Sequence, residues 1–227
     1  MSITTNAELA KKGNAEAGSS MAVINMSCWM AGKAVHSGNI LSVHSPYDNR
    51  IVGTVQLADV SHTQQAISAA LKGGPKLSRY ERYSILEKTR QLLMERKEEF
   101  AQTISAESGL AVREGRYETA RAHDVLMFAA IECLKDDGQV FSCDISPNGK
   151  ARKIFTLREP LKLAVAITPF NHPLNQVVHK IAPAIAAGTP VILKPSEKTP
   201  LTAIKLGELL YQAGLPPYIL SVLLGPT

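Results

Sequence analysis

Apolar positions change their spacing several times along the chain, and each change marks a boundary between elements. Between residues 21 and 60, short alternating stretches, AVINM, ILSVHS and IVGTVQL, are broken by the turn residues of SPYDNR. Alternation with a period of two predicts strands, arranged here as small antiparallel hairpins. From Ser61 the period becomes helical. SHTQQAISAALKGG opens on a serine suited to an N-cap and closes on two glycines, which predicts a helix with both its start and stop signals. In SRYERYSILEKTRQLLMERKEEFAQTISAESG, residues Ile85, Leu86, Leu92, Leu93, Phe100 and Ile104 fall near one face, predicting one long amphipathic helix closed by Gly109. A third helix is expected through REGRYETARAHDVLMFAAIECLK.

Past residue 138 extended structure returns. QVFSCDIS and KARKIFTLREP flank a PNG turn and predict a hairpin, and LKLAVAI, apolar without alternation, reads as a buried strand. The rest alternates: a helix from about Pro173 to Ala187, the strand PVILK, a helix from about Leu201 to Ala213, and the strand YILSVLL. This is a βαβαβ unit, so the fold class is α/β, an incomplete Rossmann-like parallel sheet preceded by hairpins and helices. Ligands of such sheets lie beyond the carboxyl ends of the strands. Two loops occupy those ends, TPFNHPLN at residues 168–175 and KPSE at 194–197. No GxGxxG follows the first strand, so the usual dinucleotide pyrophosphate loop is absent.

Composition narrows the function classes. With 227 residues and 45% hydrophobic content the chain has room for one good core and an incomplete second unit. No apolar run approaches the roughly 18 residues needed to span a bilayer, so no membrane segment is expected. Residues 1–20 lack the apolar core of a secretory signal and read as a disordered lead-in, with Met21 as a second candidate start. Cys28, Cys133 and Cys143 are an odd set without CxxC spacing, which argues against a disulfide framework or a zinc site and fits a reducing cytoplasm. The net charge of +5 is spread along the chain without a basic block, so nucleic acid is not an expected partner. Six scattered histidines contain no HExxH pair, and no metal site is expected.

TPFN followed by HPLNQVVHKIAPAIAAGTPVILKPSEKTPLTAIKLGELLYQAGLPP, residues 168–217, closely resembles the aldehyde dehydrogenase superfamily. Weaker similarity precedes it in the same order: SPYDNRIVGTV resembles the family's first hairpin, RYSILEKTRQLLMERKEEFAQTISAESG its long helix, and YETARAHDVLMFAA the next. The resemblance covers residues 25–227. It implies hairpins and helices of the cofactor domain over 21–138, a bridging or oligomerisation hairpin over 139–160, and part of the NAD-binding unit over 161–227. The family's cysteine nucleophile, water-activating glutamate and glycine-containing cofactor loop all belong after this stretch, and none of the three cysteines stands in the nucleophile's setting. The resemblance therefore implies the N-terminal half of an aldehyde dehydrogenase, inactive alone, without its catalytic domain. Because the strands that close the family's sheet also follow, YILSVLL is expected as an exposed apolar edge. Full-length members form homo-oligomers.

Carried over residue by residue, the resemblance makes Asn171 the oxyanion-stabilising amide, a role worth roughly 3 kcal/mol in a preorganised site. From spacing alone, an asparagine before Pro173 reads more readily as a helix cap. Lys194 and Glu197 match the family's ribose-binding pair, with Ser196 between them in the same loop. A carboxylate there accepts from ribose hydroxyls and repels a 2′-phosphate, so NAD is expected rather than NADP. Taken alone, such charges near a helix start are ordinary surface groups. Ile167, Thr168, Pro169 and Phe170 match the wall beside the cofactor, with Phe170 replacing the tryptophan common there. His172 and Arg121 resemble the branch that oxidises phosphonoacetaldehyde and imply a small aldehyde substrate with an anionic tail. The plainer alternative for Arg121 is an ion pair with Glu118 or Asp124 on its own helix. A second reading of the whole chain is a non-catalytic module that binds a dinucleotide or docks a partner.

Overall fold

The computed structural model describes residues 22–135 and 138–225; the lead-in expected over residues 1–20 lies outside them. The first strands are β1 (Ile24–Ser27), β2 (Trp29–Met30), β3 (Lys33–Ala34), β4 (Ile40–His44) and β5 (Ile51–Gln56). Strands β4 and β5 form the antiparallel hairpin that SPYDNR predicts. Strand β1, however, runs parallel to β5, so the expectation of hairpins throughout is corrected. The reason lies in the intervening chain: β2 and β3 form their own hairpin and leave for the main sheet, where Trp29 pairs with Val222. Cys28 sits at this junction. Its N–H donates to the Gln56 carbonyl at 3.3 Å, and its sulfur accepts the Leu224 N–H at 3.0 Å, tying the small sheet to the large one.

Four helices follow. Helix α1 (Val60–Lys72) starts two residues earlier than the Ser61 signal suggests, because Asp59 is the cap and its carboxylate accepts the His62 N–H at 2.9 Å. His62 returns a side-chain bond to the Asp59 backbone, completing a reciprocal box with histidine in the place usually taken by Glu or Gln. Helix α2 (Arg79–Glu95) has a capping box of Ser78 and Glu81. The single long helix is two: the chain bends at Arg96, with φ −104° and ψ 18°, before α3 (Lys97–Ser108). No glycine or proline marks the bend; Leu93 and Phe100 on either side are both fully buried, so packing sets it. Gly109, at φ 76°, ends α3 in the left-handed conformation that glycine tolerates best. Helix α4 (Val112–Cys133) then returns against α3. A Cβ on Gly115 would stand 2.6 Å from the Ala101 carbonyl oxygen, so only glycine permits this close approach.

The remaining elements are β6 (Val140–Ser142), β7 (Lys153–Phe155), β8 (Ala164–Ile167), α5 (Asn175–Ala187), β9 (Val191–Lys194), α6 (Leu201–Gln212) and β10 (Leu220–Val222). Strands β6 and β7 pair as a hairpin, although Pro147, Asn148 and Gly149 lie within a longer connection rather than a tight turn. Strands β8, β9 and β10 are parallel, as the alternating pattern predicts, within a sheet ordered β3-β2-β10-β9-β8. Helices α5 and α6 pack on these strands and are in turn covered by α2, α3 and α4. Leu86, Leu93, Phe100, Ile181, Ile185 and Leu206 fill the layer between, each removing a large apolar side chain from water at about 1.5–3 kcal/mol.

Two strand expectations are corrected here. Strand β10 is central: it is flanked by β9 and β2, and Leu220, Ser221 and Val222 are all buried. The edge is instead β8, expected to be buried, where Val165 and Ile167 are each 65% exposed while Ala166 is covered. Strand β2 supplies the neighbour for β10, a long-range pairing that no local pattern announces. Among the described residues, no helix is long and apolar enough to cross a membrane, and no group of three His, Cys, Asp or Glu side chains is placed to hold a metal.

Candidate active site

The carboxyl ends of β8 and β9 lie side by side because Ile167 pairs with Lys194. The ladder continues one step further, with the Thr168 N–H donating to the Lys194 carbonyl at 3.2 Å. Thr168 is thereby buried, whereas Pro169, Phe170, Asn171 and His172 emerge in the exposed turn before α5. Lys194 and Glu197 form an ion pair at 3.8 Å across the start of the second loop. The Ser196 hydroxyl accepts the Lys198 N–H at 3.2 Å and shapes that loop. Lys198 places its ammonium 4.6 Å from the centre of the Phe170 ring, and the Thr199 hydroxyl donates to the Phe170 carbonyl at 3.4 Å. The two strand-end loops are thus joined through Phe170.

A concavity of about 460 Å³ opens between Phe170, Glu197, Lys198 and Thr199 on one side and Val43 and Pro46 of the β4–β5 hairpin on the other. Of the expected cofactor residues, Phe170 and Glu197 line it. Ile167, Thr168, Pro169, Lys194 and Ser196 do not, and Ile167 instead faces outward from the uncovered edge strand. A second concavity of about 310 Å³ lies at the start of α5, where α4 contributes Glu114, Tyr117, Glu118 and Arg121 and the turn and helix contribute His172 and His179. Arg121 and His172, far apart in sequence, are therefore brought to one place.

Both plainer alternatives for the substrate residues fail on geometry. Arg121 forms no ion pair among the described residues: Glu118 is turned inward, and Asp124 pairs with His123 at 3.0 Å. Asn171 does not cap α5. The first N–H groups of that helix, from Leu174 and Asn175, both donate to Glu118 Oε1 at 2.8 Å. The Asn171 amide makes no side-chain hydrogen bond to the described residues and stands exposed beside Phe170.

Glu118 has a counterpart that sequence reasoning also missed. Glu107, at the end of α3, receives the Leu201 N–H on Oε2 at 2.7 Å and the Thr202 N–H on Oε1 at 3.0 Å, so it closes the start of α6. Burial pushes the Glu107 carboxyl up to about 7, outweighing the hydrogen bonds from Thr202 and Leu201 that favour its charge. Each glutamate is only 2% exposed. The signal was present: Glu107 follows Phe100 and Ile104 at helical spacing, and Glu118 precedes Ala122 and Leu126 likewise, so both carboxylates sit on apolar stripes.

Residues 29–227 match the pattern of the aldehyde dehydrogenase family. The chain belongs to that family. It is 40% identical over 187 residues to 3-sulfolactaldehyde dehydrogenase of Priestia megaterium, covering 82% of this chain and 39% of that protein. Aspartate-semialdehyde dehydrogenase 1 of Pseudomonas canavaninivorans is 38% identical over 188 residues, covering 82% and 40%. The crystal structure of aldehyde dehydrogenase 21 from Physcomitrella patens, in complex with the reaction product succinate, superposes with a TM-score of 0.86 at 35% identity, covering 90% of this chain and 44% of that one. The chain therefore spans about 40% of the length of these relatives, and its α/β architecture is that of the aldehyde dehydrogenase fold.

Proposed function

We propose that this chain forms the cofactor-side part of an NAD-dependent dehydrogenase of small anionic aldehydes, phosphonoacetaldehyde or a near relative, acting in the cytoplasm. The family reaction converts the aldehyde, NAD and water to the carboxylate and NADH. The observation that carries the reading is the meeting of Arg121 and His172 in one concavity, with the guanidinium free of any acidic partner among the described residues. An unpaired guanidinium beside an imidazole suits a phosphonate, sulfonate or carboxylate tail. Two of the relatives above are named for aldehydes that bear an acid group, which supports the same class.

The residues present fit a dinucleotide on the carboxyl side of the sheet. Glu197, exposed at the strand end, is the acceptor for ribose hydroxyls, with Lys194 and Ser196 in the same loop; Ile167, Thr168, Pro169 and Phe170 form the adjacent wall. Bound NAD supplies the hydride acceptor. Asn171, freed from capping by Glu118, donates its amide N–H to the oxyanion formed when a thiolate adds to the aldehyde. That thiolate is not one of the three cysteines. Cys28 is bonded to Leu224, Cys133 is buried at the end of α4, and Cys143 lies beside the β6–β7 hairpin. The domain reading is proposed with it: 161–227 as part of the NAD-binding unit, and 139–160 as a bridging element between subunits of a homo-oligomer.

The test is NADH formation. The 227-residue chain alone should give none. Joined to the C-terminal part of the Priestia megaterium relative, it should oxidise phosphonoacetaldehyde or sulfolactaldehyde in preference to a neutral aldehyde of similar length. Equal rates on charged and neutral aldehydes would remove the anionic-substrate assignment.

A further inference from the structure

The two buried glutamates cap helices in different ways, and the difference leaves one oxygen over. Glu107 divides its work, one carboxylate oxygen for each of two backbone N–H groups. Glu118 places both N–H groups, from Leu174 and Asn175, on Oε1 alone. Its Oε2 is buried and has no hydrogen-bond partner among the described residues. An orphaned carboxylate oxygen away from water is costly, so such a group calls for a partner within reach. The imidazole of His172 stands within that reach, its Nδ1 3.6 Å from Oε2. That separation is beyond hydrogen-bond length and within ion-pair reach, and a small rotation of the exposed His172 ring would close it.

We infer that Glu118 is a positioning residue for substrate recognition: its spare oxygen receives the Nδ1–H of His172, fixing the ring so that Nε2–H faces the anionic tail beside Arg121. With both nitrogens engaged as donors, the ring binds the anion in its doubly protonated form, and the buried carboxylate balances that charge. One charge set surrounds the imidazole. Glu118, Arg121 and Glu114 come from α4 and His179 from α5, and Glu118 is the carboxylate in ion-pair contact with the ring. The same side chain thus ties the start of α5 to the substrate mouth. This inference rests on reading Arg121 and His172 as the anion-holding pair.

The experiment uses the 227-residue chain labelled with ¹⁵N-histidine at pH 7, with methylphosphonate as the probe and His172→Gln to assign the ring signals. In the unsubstituted chain, His172 Nδ1 should carry a hydrogen-bonded proton. In Glu118→Gln, which keeps an acceptor for α5, that Nδ1 signature should disappear, and methylphosphonate affinity should fall about tenfold, the loss expected for one charge-assisted contact. Arg121→Ala should weaken methylphosphonate while leaving the Nδ1 signature in place. An unprotonated Nδ1 in the unsubstituted chain overturns the inference without any variant, and so does a Glu118→Gln chain with unchanged Nδ1 signal and unchanged affinity. If methylphosphonate binds no version of the chain, the anion-pair reading falls, and the Nδ1 signal still decides whether Glu118 holds His172.

Discussion

Glu107 accepts the backbone N–H of Thr202 at 3.0 Å from the far side of a helix boundary, so an acidic side chain of α3 closes the start of α6 from inside the core. Its folded-state pKa, raised by burial to about 7 from 4.5, sets the sign of a pH effect. A carboxyl that holds its proton more tightly when folded contributes stability below pH 4.5 and loses that contribution as pH rises through 7. At about 1.4 kcal/mol per unit, the loss is roughly 3 kcal/mol, several degrees of melting temperature in a chain of this size. Glu107→Gln cannot ionise. Its melting temperature relative to the unsubstituted chain should therefore climb between pH 5 and pH 8. A difference that stays flat across that range would show that Glu107 remains charged in the fold throughout.

Glu99 gives the opposite slope and serves as an internal control. The Arg96 guanidinium beside it and the Lys205 ammonium at 2.8 Å hold its carboxyl down to about 2, despite partial burial. Its contribution is present above pH 4.5 and disappears as pH falls through 2. Lys205→Met should thus lower stability at neutral pH and lose most of that effect near pH 2, measured by chemical denaturation at the two pH values.

Asn171 separates structure from chemistry. Because Glu118 and not Asn171 holds the first N–H groups of α5, Asn171→Ala should leave the melting temperature within about 1 °C, unlike the cost of about 1 kcal/mol for removing a working cap. In the joined enzyme described above, the same change should lower kcat about a hundredfold or more, the effect of removing one oxyanion donor. Circular dichroism and steady-state kinetics on the same variant check both halves. A destabilised variant would return Asn171 to the capping role.

Local signals made much of this legible. The parallel strands, the helices between them and the strand-end loops follow from periodicity and punctuation, since Gly109 and Gly188 both end helices at positive φ. What stayed hidden depended on distant chain. Nothing near Leu220 tells that Trp29 will cover its strand, and nothing near Val165 tells that its other side will be open. The bend at Arg96 is set by what Leu93 and Phe100 pack against. At the site, the strand-end loops could be placed from sequence, but the inward turn of Glu118, which leaves Arg121 without an ion pair among the described residues, is a tertiary choice that the surface-pair rule does not foresee.

The proposed role of Arg121 in reading an anionic substrate is open to a direct kinetic test. Removing its guanidinium in the joined enzyme should cost one charge-assisted hydrogen bond, about 1.5 to 3 kcal/mol. This corresponds to a tenfold to hundredfold fall in kcat/KM for a phosphonate or sulfonate aldehyde, by the usual factor of ten per roughly 1.4 kcal/mol. A neutral aldehyde of equal length should be little affected, because Arg121 has no ion pair among the described residues to lose. Parallel kinetics on the two substrates decide the matter: equal losses would mean that Arg121 supports α4 instead of reading charge.

Strand β8 makes the last prediction, because it ends the main sheet. Its outer edge has no strand beside it among the described residues, and Val165 and Ile167 leave an apolar surface next to Leu161 and Phe170, all largely exposed. An unpaired edge with apolar side chains is a template for strand addition, by another copy or by further chain. The isolated 227-residue chain should therefore self-associate through β8, seen as higher-order species in size-exclusion chromatography that grow with concentration. Val165→Lys together with Ile167→Lys should suppress them, since edge lysines oppose pairing and both side chains already lie in solvent, so the fold itself loses little. The matching change on β10, Val222→Lys, should instead abolish folding, because that residue is fully buried between β9 and β2. A chain that stays monomeric without the lysines would show that the open edge of β8 is protected by its own twist and shortness and needs no covering strand.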